Sequence, residues 1–143
     1  MSTQAVGRGV VSLGQEKAKA SFGSVLWDWL TTVDHKKIGK LYFLGGVVFL
    51  LIGGLEALLI RLQLMYPEMT FLSGTTFNEL ITAHGTTMIF FAAMPLLFGL
   101  MNLIVPLQIG ARDVAFPFLN ALGMWLFLFG AILFHLSFFF GEG

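Results

Sequence analysis

Leu41-Tyr42-Phe43-Leu44-Gly45-Gly46-Val47-Val48-Phe49-Leu50-Leu51-Ile52-Gly53-Gly54-Leu55-Glu56-Ala57-Leu58-Leu59-Ile60 carries a single acidic or basic residue, Glu56. At a rise of 1.5 Å per residue this run makes a helix of about 30 Å, the thickness of a bilayer's hydrocarbon core. Two comparable runs follow, which predicts three spans over about 41–61, 81–106 and 114–140. A backbone crossing lipid must satisfy its own hydrogen bonds, so the fold class is an all-α membrane protein. Composition agrees: 57% of residues are apolar, 15% aromatic and only 11% charged, against about 25% charged in ordinary soluble domains. The chain has no cysteine, which excludes disulfides, thiolate metal sites and a cysteine nucleophile. Its net charge is zero, and with no basic patch beyond a few lysines near the first span it is not a nucleic-acid binder.

Residues 1–24 are small and polar and read as a flexible cytoplasmic tail. No apolar run follows their positive charges closely enough for a secretory signal. Residues 25–40, with Trp27 and Trp29, read as an interfacial segment, because tryptophan concentrates at membrane surfaces. Lys36, Lys37 and Lys40 precede the first span, whereas residues 62–80 hold Glu68 and Glu79 but no lysine or arginine. The positive-inside rule then places the N-terminus in the cytoplasm and Arg112 on the same side.

That topology sorts the polar residues by depth. Arg61 and His84 lie toward the outer side; Asp113, 29 residues after His84, lies inside, roughly 40 Å away along a helix and its exit turn. His84 is expensive in a span unless it hydrogen-bonds a neighbouring helix or ligates a metal or haem iron, and spacing leaves both open. Arg61 either snorkels to the headgroups or sets a positive charge beside a cofactor. Glu56, one turn inside the first span, must be protonated, paired or beside water. Asp113 is either a loop acid next to Arg112 or, with Asn102 and Asn120, the start of a wet path into the bundle. His35 reads as a surface histidine. His135 has no second ligand candidate at its depth, so packing or a hydrogen bond is expected. Gly45, Gly46, Gly53 and Gly54 form a small-residue stripe suited to close helix contact. Pro95 and Pro106 are expected to interrupt or end the second span.

Several long motifs, in order, extend over most of the chain. They are Trp29-Leu30-Thr31-Thr32-Val33-Asp34-His35-Lys36-Lys37-Ile38-Gly39, then His84-Gly85-Thr86-Thr87-Met88-Ile89-Phe90-Phe91, then Met94-Pro95 and Asn102, and finally Val105-Pro106-Leu107-Gln108-Ile109-Gly110-Ala111-Arg112-Asp113-Val114-Ala115-Phe116-Pro117. Together they resemble subunit I of the A-type haem-copper terminal oxidases. The resemblance implies that the three helices belong to a bundle of about twelve and that this is the N-terminal fragment of a longer subunit. It also implies that His84 is an axial ligand of a low-spin haem, expected to be haem a, with Arg61 beside a ring substituent of that haem. Asp113 then matches the acid at the mouth of the family's D proton channel, and Asn102 and Asn120 match two of its asparagines.

The resemblance further implies an enzyme that reduces oxygen to water, coupled to proton pumping, in a multi-pass bacterial cell membrane with subunits II and III as partners. The second haem and the copper belong to later helices, as does the second axial ligand of the low-spin haem, so this fragment alone is not expected to be active. Quinol-oxidising relatives carry an Arg–Asp pair, a His and a Gln where this chain has Ile52, Glu56, Thr76 and Glu79. The expected donor is therefore cytochrome c, as in the caa3 kind, with a quinol oxidase as the alternative. A membrane helical subunit without a redox centre is the rival from another class. Gln63 stands where mitochondrial relatives have a cation-binding acid, so that site is not expected here.

Overall fold

A computed structural model describes residues 21–140. The expected tail over 1–24 lies outside the described residues up to position 20. The chain divides into two units, Met1–Thr31 and Thr32–Gly143. In the first, residues Phe22–Leu30 form a short helix, α1, with no buried residue. Trp27 is among its exposed side chains.

The second unit is built on three long helices, as an all-α membrane protein requires. The first, α2 (His35–Gln63), starts six residues before the first expected span. Asp34 makes the early start: its carboxylate accepts the Lys36 N–H at 2.9 Å and satisfies an amide that the first helical turn leaves unpaired. The second long helix runs unbroken over Gly74–Gln108, 35 residues, as α3 (Gly74–Thr86), a π-helical segment (Thr87–Ala93) and α4 (Met94–Gln108). At about 52 Å it is longer than a hydrocarbon core is thick, so it tilts or projects beyond it. Ser73 caps its start through the Thr76 N–H at 3.1 Å. The third, α5 (Pro117–Phe140), opens on a proline, whose missing N–H costs nothing at a first helical position. All three are long and apolar enough to cross a membrane.

Pro95 neither ends nor breaks the second helix. A proline inside a helix has no N–H for the carbonyl four residues back and its ring crowds that carbonyl. The wider π-helical turns just upstream absorb the mismatch, with the Met94 N–H reaching the Ile89 carbonyl. Pro106 likewise lies within the last turn of α4. Beyond it the chain leaves through Gly110, at φ 69°, a left-handed conformation that glycine adopts freely.

α2 packs along α4 and the π-helical segment, and α5 against α2. Small residues make the first contact close: a Cβ on Gly46 would stand 2.7 Å from Leu96 Cγ, and one on Gly99 would stand 2.8 Å from the Gly39 carbonyl oxygen. Gly53 faces Met88, whereas Gly54, counted in the expected stripe, meets nothing within 4 Å. Two apolar clusters complete the core, one of Ile38, Tyr42, Ala121 and Met124, the other of Phe49, Ala92 and Ala131.

Candidate functional site

Polar side chains gather at two places, one at each end of α2. At the site toward the C-terminal end of α2, His84 on α3 turns its Nδ1 to the Gly53 carbonyl oxygen at 3.0 Å. A carbonyl only accepts, so Nδ1 carries the hydrogen and Nε2 keeps a lone pair. The His84 side chain is 31% exposed. Glu56, one turn after Gly53, brings Oε2 to 3.9 Å from the same Nδ1. Its other oxygen receives the Thr87 hydroxyl at 3.3 Å and lies 3.8 Å from His135 Nε2. Thr87 is fully buried, three residues beyond His84 in the π-helical segment. His135 donates from Nδ1 to the Ala131 carbonyl at 2.7 Å and sets Nε2 3.2 Å from the Thr87 hydroxyl.

His135 is thus a hydrogen-bonding histidine, as expected, but it does share its depth with other polar groups. Glu56, Thr87 and His135 come from three different helical segments, and no spacing in the sequence reveals that they meet. A cavity of about 530 Å³ opens beside them, walled by Phe49, Ile52, Leu80 and Ala131 with Glu56 and His135 as its polar members. Arg61 stands apart: in the last turn of α2, eight residues past Gly53 and about 12 Å further along the axis, it borders a different cavity, of about 370 Å³, with Leu58 and Met65.

At the site by the N-terminal end of α2 the structure corrects the reading of His35. It is not a surface residue but 1% exposed, and its Nδ1 donates to Asp113 Oδ1 at 3.1 Å. The same oxygen accepts the Val114 N–H at 2.8 Å. His35 Nε2 is buried with no hydrogen-bond partner among the described residues. The sequence did carry one signal for this pair, since the span count puts both residues on the same side of a membrane; burial of the ring was not readable. Asn102 and Asn120 are brought together, with Asn120 Nδ2 donating to Asn102 Oδ1 at 2.7 Å. Asn102 also donates to the Phe98 carbonyl at 3.0 Å. It borders a cavity of about 270 Å³ together with Val114, the neighbour of Asp113.

Gln63 ties down the connection between α2 and α3: it accepts the Leu72 N–H at 2.7 Å and donates to the Met69 carbonyl.

The chain is similar to proteins of known family. Cytochrome c oxidase subunit 1 of Alkalihalophilus pseudofirmus is 66% identical over 120 residues, covering 84% of this chain and 19% of that protein. The subunit of the same name from Bacillus subtilis is 66% identical over 123 residues, 86% of this chain and 20% of its own length. Quinol oxidase subunit 1 of Bacillus subtilis is 55% identical over 117 residues, 81% of this chain and 18% of the relative. The chain therefore spans about a fifth of the length of the curated relatives it matches. Residues 37–143 match the family described as Cytochrome C and Quinol oxidase polypeptide I, and the chain belongs to that family.

Proposed function

We propose that this chain forms the first three spans of subunit I of a bacterial terminal oxidase that reduces oxygen to water and pumps protons, with His84 as an axial ligand of its low-spin haem. One observation carries the reading: the Nδ1–H of His84 is fixed on the Gly53 carbonyl, so the lone pair of Nε2 is available to iron. An imidazole nitrogen is a common donor to haem iron, so the residue type fits as well. When bound, the haem, which we take to be haem a, supplies a one-electron redox centre. Arg61 supplies a fixed positive charge on the same side of the membrane. Asp113, oriented by His35, gathers protons at the inner surface, and the hydrogen-bonded pair Asn102–Asn120 continues the path inward. The N-terminus is cytoplasmic, and subunits II and III are the partners.

Cytochrome c is the donor we favour, and the oxidase of the caa3 kind. Higher identity to the cytochrome c oxidases, 66% against 55% for the quinol oxidase of Bacillus subtilis, supports it. The second reading is a quinol donor, which the apolar cavity with Glu56 and His135 on its wall favours. Inhibition of the assembled enzyme by quinone analogues, with no dependence on cytochrome c, would decide for it.

The deciding experiment is a reduced-minus-oxidised optical spectrum of membranes holding the full-length subunit, wild type against His84→Ala. Loss of the low-spin haem band in the variant is expected; an unchanged band overturns the assignment.

A further inference from the structure

Glu56 is 12% exposed and sits in a span, where a carboxyl group persists only with partners or a function. Its surroundings are specific. Gly53 and Glu56 are three residues apart on α2, so the backbone carbonyl of one and the side chain of the other approach the same flank of α3. Both converge on a single atom, Nδ1 of His84, at 3.0 Å and 3.9 Å. Glu56 Oε2 has no hydrogen-bond partner among the described residues and is buried; His84 Nδ1, whose hydrogen goes to the Gly53 carbonyl, lies 3.9 Å away. The other oxygen is anchored from behind by the buried Thr87 hydroxyl, with His135 Nε2 beyond it. This is the arrangement of a carboxyl group, held by outer partners, behind a ligating imidazole.

We propose that Glu56 is a positioning residue for His84 and lowers the midpoint potential of the haem iron that His84 binds, an inference that rests on the haem reading above. Two effects act in one direction. A carboxylate behind the N–H raises the basicity of the ligating nitrogen, and its negative charge in a low-dielectric setting favours the oxidised iron over the reduced. Thr87 and His135 keep the carboxylate on that side of α2. A purely structural role, a hydrogen-bonded tie between helices, leaves the potential where it is.

The test is a redox titration of the low-spin haem band in the assembled oxidase, comparing wild type, Glu56→Gln and His84→Ala. Glu56→Gln keeps nearly the same shape without the charge. It is expected to retain the band and to shift its reduction equilibrium about tenfold toward the reduced form, roughly 59 mV for one electron. A band retained at the wild-type potential overturns the inference. If Glu56→Gln does not assemble, Glu56→Leu, which leaves no polar group without a partner in the span, is titrated in its place and judged by the same two outcomes. Loss of the band in His84→Ala together with an unmoved potential in the Glu56 variant defeats this inference alone. Retention of the band in His84→Ala defeats it together with the haem reading.

Discussion

His35 and Asp113 hold each other unequally. Asp113 is 38% exposed and keeps a second bond from the Val114 N–H, so it has water and backbone to fall back on when the ring is lost. Among the described residues His35, 1% exposed, has Asp113 as its one hydrogen-bonded acceptor, and its Nε2 has no partner. Removing one partner of a buried hydrogen bond costs the desolvation of the group left behind. Asp113→Ala therefore destabilises this chain by about 1–3 kcal/mol, and His35→Phe by less, on the order of 1 kcal/mol. Thermal unfolding of the two variants in detergent measures the order. The reverse order would mean that the ring serves packing and the acid contributes nothing to holding it. The asymmetry also shows where reading the sequence stops. That His35 and Asp113 lie on one side of the membrane follows from the lysines and the span count; that the ring is buried against the acid depends on a contact between residues 78 apart. His135 and Glu56 repeat the lesson, because histidine and carboxylate in separate spans carry no mark of their register until the helices are docked.

The contact between α2 and α4 depends on backbones lying nearly side by side, and lipid gives no hydrophobic force to bring them there. Packing must supply it, which is why glycines face each other across this seam. A Cβ at Gly99 meets backbone, the Gly39 carbonyl at 2.8 Å and the Phe43 nitrogen at 2.9 Å, and backbone cannot swing aside as a side chain does. Gly99→Ala is expected to cost about 1–3 kcal/mol through overpacking. Gly54→Ala is the matched comparison: nothing lies within 4 Å of its Cβ, and in a helix interior alanine gains about 0.5–1 kcal/mol over glycine. The two variants should move the unfolding midpoint in detergent in opposite directions; a loss of equal size in both would show that the seam is not close-packed. The existence of these helices was legible in hydropathy alone, as were the small residues that let them approach. Their ends and interruptions were not. Asp34 begins α2 at His35 by capping it, and the π-helical turns ahead of Pro95 carry the second helix through a residue that sequence rules treat as a break.

Across the second unit, the polar residues of the two sites fall at two depths, and that separation is what the proposed coupled oxidase needs. From His35 to Gly53 α2 advances 18 residues, about 27 Å. The acid that faces one aqueous side and the imidazole proposed for iron near the other are therefore separated by most of the membrane. The two ends differ in charge: Lys36, Lys37, Lys40 and Arg112 cluster at the Asp113 end, and the 64–73 connection at the other end has Glu68 with no lysine or arginine. Basic residues within a short distance of a span resist translocation, so the Asp113 end should face the cytoplasm. The absence of cysteine makes this directly measurable with single introduced thiols. In intact cells an impermeant maleimide should label Thr70→Cys, exposed in the connection between α2 and α3, and should reach Ala115→Cys, exposed beside Asp113, only after the membrane is permeabilised. The opposite pattern would invert the topology. It would leave Asp113 on the outer surface, where it could not draw the protons that the proposed pump takes from inside, and the proton-entry role would fall even if His84 proved to bind its iron.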